Sequence, residues 1–249
     1  LVLPAGGQVD TSDPDAWEFP VGTKFFKEFV RDGVRVETRL NQRNADGWAA
    51  ASYLWNEDAG DAQRLTDAVT DATGTQHDVP SAQECLACHG GRGNFSLGFS
   101  ATQLPVAVRA ELFDDGVLTA AVTTDLQLDA PAREGLGTLH GNCAHCHNGE
   151  RDAQEQSTTC YAPPVEDDDP PLNFTLPSDL SAVEDAPILQ TGRFQLGRVG
   201  DSQVLTRMST RILNGEEPSM PPLGTELVDD TGVAAVEAFI AALPAEQRD

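Results

Sequence analysis

Two strings, Cys85-Leu86-Ala87-Cys88-His89 and Cys143-Ala144-His145-Cys146-His147, constrain this chain more than anything else in it. Each reads Cys-x-x-Cys-His, the spacing of covalent c-type haem attachment. The thiols of each string stand one helical turn apart, so both can add to the vinyl groups of a single porphyrin. The next residue then carries an imidazole beneath the iron as proximal ligand. The chain has five cysteines, and four of them lie in these two strings. They predict two covalently attached c-type haems, held by Cys85, Cys88, Cys143 and Cys146, with His89 and His147 as iron ligands. Other uses of paired cysteines fit less well. Zinc sites bring four ligands at different spacings. A redox dithiol belongs on a thioredoxin-like βαβ pattern, which is not visible here. Two disulfides would leave the histidine after each pair unexplained.

A chain of 249 residues is long enough for two domains with cores of their own. No apolar run approaches the length of a membrane span. The chain opens at Leu1 without Met, as expected if a targeting segment has been removed. Covalent haem attachment takes place outside the bacterial cytoplasm, so a periplasmic or extracellular location is expected, with room for a lipid anchor before processing. The net charge of −24 argues against nucleic acid and anionic membranes as partners. It suits redox partner proteins with basic docking surfaces, and equally an acidic surface that serves solubility alone. Cys160 is the odd thiol; a buried free side chain is favoured over a cross-link between chains.

The first half reads as β structure. Lys24 to Val30 is rich in Phe and Val, Arg31-Asp32-Gly33 turns the chain, and Val34 to Leu40 alternates with a period near two. Asn44-Ala45-Asp46-Gly47 is a second hairpin signal before a strand from Trp48 to Trp55. Tyr53 and Trp55 share a face and are expected in a core, with a haem wall as the other role for such aromatics. A Gly-rich loop runs from Gly90 to Gly98, a short helix is expected over Pro105 to Phe113, and residues 117–130 read as a connector. A helix over Pro131 to Leu139 leads into the second string. Gly149 to Pro187, acidic and Pro-rich, is expected to be an irregular surface excursion. A helix capped by Asp201 or Ser202 presents Val204, Leu205, Met208 and Ile212 and ends near Gly215. The last helix starts at Asp229 or Asp230, carries Val233, Val236, Phe239, Ile240 and Leu243, and stops before Pro244.

Between the last two helices lies Ser219-Met220-Pro221-Pro222-Leu223-Gly224. A thioether is a soft ligand, and flanking prolines stiffen the loop that presents it. The order of haem string, long loop, Met-Pro-Pro and closing amphipathic helix resembles the small bacterial class I cytochromes c over Pro131 to Leu243. That resemblance implies His147 and Met220 as the axial pair of the second haem. It departs from the family by the long acidic insertion. Met208, on the apolar face of a helix, reads as core.

The first haem lacks a nearby methionine. His77, in the turn-like Thr75-Gln76-His77-Asp78, is a candidate sixth ligand, with a surface histidine or five-coordinate iron as alternatives. His140 and His145 flank the second string and are expected to hydrogen-bond near that haem or face solvent. Pro-x-Gly-Thr followed by Lys27-Glu28, a Gly-Trp strand and a terminal haem string loosely resembles the β-sheet cytochromes of the hydroxylamine-oxidising and cytochrome c′-β type, over Phe19 to His89. Their catalytic members carry a lysine linked to the porphyrin, and no lysine here maps onto it. Phe19-Pro20-Val21-Gly22-Thr23, Glu37-Thr38-Arg39-Leu40, Trp55-Asn56, Asn142 to His147 and Met220-Pro221-Pro222 together resemble a family of secreted bacterial di-haem cytochromes, for which electron transfer is the inferred role.

The expected fold is α+β, with an antiparallel β domain carrying one haem over residues 1–125. An all-α class I cytochrome c domain with the second haem and the acidic insertion follows over 126–249. The expected function is one-electron transfer outside the cytoplasm, a carrier being favoured over an enzyme. Two alternatives stand beside it: a haem enzyme or small-ligand binder with an open site at haem 1, and a self-associating subunit of an extracellular conducting assembly.

Overall fold

The computed structural model describes residues 1–56, 58, 60–90, 95–148, 172–190, 195, 197–211, 219–221 and 226–244. Four strands form one antiparallel sheet in chain order: β1 (Lys24–Arg31), β2 (Val34–Asn44), β3 (Gly47–Trp55) and the short β4 (Ala62–Arg64). The hairpins follow from their turn residues. Asp32 and Gly33 both take positive φ, 51° and 80°, as a two-residue turn of the primed type requires. Asn44 pairs with Gly47 across the second turn. A register shift at Phe29/Val30 marks a bulge in the edge strand β1.

Five α-helices are described: α1 (Ala82–His89), α2 (Val106–Asp114), α3 (Ala130–Cys143), α4 (Gln203–Ser209) and α5 (Asp230–Ala242). Helix α1 begins with a capping box: the Ser81 hydroxyl accepts from the Glu84 amide, while the Glu84 carboxylate accepts from the Ser81 amide. Asp129 caps α3 with a proline in its first turn, and Asp229 caps α5. Helix α4 is shorter than its apolar pattern suggests. Thr210 is already extended, at φ −114° and ψ 155°, so the helix stops at Ser209; Ile212 and Gly215 lie outside the described residues.

The apolar side chains gather into two main cores. One joins Val9, Trp17 and Phe19 from the N-terminal segment to Ala101, Leu118 and Val122, with Phe25, Trp48 and Phe99 packed against it. The other runs from Leu126 through Leu136, Leu139 and Cys143 to Val204, Met208, Val236, Phe239 and Ile240. Trp55 does not fill a core; it is half-buried, its indole N–H donates to Thr38 Oγ1 at 2.9 Å, and Arg35 lies over its ring.

The expected C-terminal all-α domain of class I cytochrome c type is overturned. The chain is a mixed α/β protein with one four-stranded antiparallel sheet and five described α-helices. The physical reason lies in residues 172–180, expected to be surface loop and in fact extended chain wedged into the second core. Phe174 and Leu176 are 6% and 4% exposed. Their amides donate to the His147 carbonyl at 3.0 Å and to His140 Nδ1 at 2.9 Å, so the wedge satisfies its backbone on α3 and on the end of the Cys143–His147 string. Ser178 then donates from its amide and hydroxyl to the Asp15 carboxylate, at 3.0 and 3.1 Å, which ties this region to the N-terminal segment. The acidic part of the insertion, residues 149–171, lies outside the described residues.

Helices α3 and α5 cross closely at Gly135, where a Cβ would overlap the Phe239 side chain and sit 3.1 Å from the Ala235 carbonyl oxygen. Gly135→Ala is therefore expected to destabilise the protein by about 2 kcal/mol through overpacking. The midpoint of denaturant unfolding measures it, and an unchanged midpoint would contradict this crossing.

Candidate functional site

The two Cys-x-x-Cys-His strings occupy comparable positions in separate parts of the fold. Cys85, Cys88 and His89 lie within α1, which packs on β3. Cys143 ends α3, and Ala144 to His147 continue it as a turn, with the His147 amide donating to the Cys143 carbonyl at 2.8 Å. Asn148 is 1% exposed and secures that turn by donating from its side-chain amide to the Ala144 carbonyl at 2.8 Å. The first string is helical throughout, and the second leaves its helix at Cys143 in a turn.

A cavity of about 940 Å³ lies where the two cores meet. Cys143, Cys146, His147 and Met220 line it from the second core, and Lys27, Cys88 and Leu97 complete its wall from the sheet half. This volume is at the upper end of the range of cofactor pockets. Met220 reaches the cavity from Ser219–Pro221, whose backbone is held by a 2.9 Å bond from the Met220 amide to the Arg207 carbonyl. Met208 is 8% exposed within the second core, as its helical position implies.

The imidazoles have distinct settings. His89 Nδ1 is 3.0 Å from the Phe95 carbonyl oxygen, and its ring packs on the Phe95 ring with centroids 5.0 Å apart. A carbonyl partner on Nδ1 fixes the tautomer that leaves Nε2 free to ligate. Asn41 Nδ2 stands 3.4 and 3.5 Å from the two ring nitrogens. Burial, with the Arg39 and Lys27 cations adding to it, pushes the His89 pKa down against the Phe95 carbonyl. The ring is thereby favoured as the neutral imidazole a metal requires. Phe95 itself stacks on Trp48 at 5.3 Å and 10°. His147 lies 5.6 Å from the Phe174 ring. His140 is buried and accepts from the Leu176 amide through Nδ1, so it supports the wall of the cavity. His89 and His77 are not among the residues lining this cavity.

The structure brings His77 to Glu37 instead. His77 Nε2 is 2.8 Å from Glu37 Oε2, and its ring lies 5.2 Å from Phe29. Glu37 is fully buried and also accepts from Arg39 Nε and Nη2 at 2.6 and 2.9 Å. That fork satisfies a carboxylate that would otherwise be costly to bury. Arg39 in turn lies over the Phe29 ring at 4.2 Å and pairs across the strands with Lys27. Burial and the Arg39 charge push the Lys27 pKa down, while Glu37 opposes them.

The four cysteines of the strings form no disulfide among the described residues. Burial pushes the Cys143 thiol up to about 12. A hydrogen bond with Cys146 raises the Cys88 thiol far above its ordinary value, with burial acting in the same direction. Burial also raises Cys85. Cys88, His145 and Cys146 form a cluster whose candidate ligand atoms all lie within 4.8 Å of one another. Cys160 lies outside the described residues.

The donor set fits haem at the second string. Two thiols, a histidine and a thioether share the wall of one large cavity. At the first string the thiols and a pre-oriented imidazole are present, and Cys88 alone of them reaches that cavity. Sequence reading missed Phe95 and Phe174, which carry no local pattern; a carbonyl and a ring five or more residues from a motif become neighbours only through the fold.

Searches against protein-family models, curated proteins and solved structures give no match.

Glu37→Gln removes the charge that Arg39 and His77 share in a fully buried site. It is expected to cost about 3 kcal/mol of stability, read as a lowered denaturation midpoint. A change below about 0.5 kcal/mol, the level of an ordinary surface substitution, would contradict the buried network.

Proposed function

We propose that this chain is a di-haem c-type cytochrome that transfers single electrons outside the cytoplasm. The observation that carries the reading is the convergence of Cys143, Cys146, His147 and Met220 on one cavity that Cys88 of the other string also lines, beside Cys146. When bound, each haem supplies a ferrous/ferric couple; the chain sets its potential and access.

The residues act by binding, orienting and shielding. Cys143 and Cys146 anchor one haem, and Cys85 and Cys88 the other. His147 and Met220 would hold the iron of the second, and a sulfur ligand would favour its reduced state and raise its potential. The Phe95 carbonyl orients His89. Phe174, buried beside His147, would shield that imidazole from water. A haem held by both His147 and Met220 would leave its iron no open position for substrate, which suits a carrier at the second string. The charge of −24 favours redox partner proteins with basic docking surfaces, with association weakening as salt screens the attraction.

A second reading follows from the Cys88, His145 and Cys146 cluster, which has the donor chemistry of a thiolate–imidazole site for zinc or another soft metal. The cluster supplies three donors, one fewer than a closed structural zinc site takes. One stoichiometric zinc in colourless protein would establish this reading and end the first.

Met220→Ala tests the haem assignment. It is expected to abolish the methionine-to-iron charge-transfer band and to lower the potential of one haem while leaving the other in place. Persistence of the band would contradict the role of Met220.

A further inference from the structure

The first cysteines of the two strings belong to different surroundings. Cys85 packs with Ala50, Phe95 and Trp48, and Cys143 belongs to the second core. The second cysteines meet. Cys88 Sγ and Cys146 Sγ, with a ring nitrogen of His145 beside them, lie within 4.8 Å of one another. His145 Nδ1 is buried there without a hydrogen-bond partner.

From this juxtaposition we infer that the two haems are held as a contiguous pair, their thioether-bearing rims meeting at Cys88 and Cys146, so that electrons pass directly between them within one chain. The inference rests on the di-haem reading and deepens it. A c-type linkage bonds the cysteine sulfur to a carbon carried directly on the porphyrin rim. The gap between the two conjugated rims is therefore bounded by the sulfur-to-sulfur separation plus two short linkages. Rims this close provide an exchange path that crosses no intervening secondary structure. The exchange oxidises one ferrous iron and reduces one ferric iron; one electron moves, no covalent bond forms or breaks, and no further reactant is needed. The same adjacency makes each haem sense the charge on the other, because a buried pair is poorly screened.

The test uses the full chain carrying its haems. Two adjacent porphyrins couple their Soret transitions, so circular dichroism of the unmodified protein is expected to show a couplet, with positive and negative lobes of comparable size about the absorption maximum. The C85S/C88S and C143S/C146S variants, each limited to one haem, are expected to give bands of a single sign that do not sum to the couplet. A haem-to-protein ratio of two with a single-signed Soret band in the unmodified protein would overturn the contiguous pair and leave the di-haem reading intact. A ratio below two would overturn both. Because the unmodified protein supplies the deciding spectrum, poor folding of either variant does not affect the outcome.

Discussion

The contact between Cys88 and Cys146 organises the molecule, because it is where two separately built cores face one cavity. One core is closed by the N-terminal segment returning to Leu118 and Val122, the other by α3 against α5. Neither supplies the whole wall of the cavity: Lys27, Cys88 and Leu97 come from one side, and Cys143, Cys146, His147 and Met220 from the other. The bonds from Ser178 to Asp15 hold the two sides in register.

Among the described residues no self-contained helical cytochrome domain is evident at the C-terminal end. In such a domain helices alone would wrap the cofactor. Here extended chain joins the helices in the second core, with Phe174 and Leu176 hydrogen-bonded to His147 and His140. The sheet half carries a buried Glu37 fork that pairs with Arg39 and His77. The Glu37 carboxylate stands at this depth because Arg39 and His77 pair with it.

Much of the local structure was legible in the residues. Asp32-Gly33 and Asn44 to Gly47 specify their hairpins, because few residues tolerate the backbone those turns require. Asp229 and the apolar stripe from Val233 to Ile240 specify α5. The buried path of residues 172–176 was hidden, since a Pro-rich acidic neighbourhood masks two buried side chains whose partners lie on α3 and at the end of the second string. The candidate site was partly legible: the strings name their own thiols and histidines, and Met220 stands out as one of two methionines. His77 was not legible, because its partner Glu37 lies in a strand whose alternation gives no sign that a carboxylate is fully buried. The meeting of Cys88 with Cys146 was equally hidden, being a property of how the two cores dock.

The reading depends on thioether-bound porphyrin at both strings, and the intact mass of the purified chain under denaturing conditions tests this most directly. Covalent attachment survives unfolding, so the expected result is a mass raised by two haem groups, falling by one when Cys143 and Cys146 are both replaced by serine. A colourless protein with the mass of the bare polypeptide would contradict it.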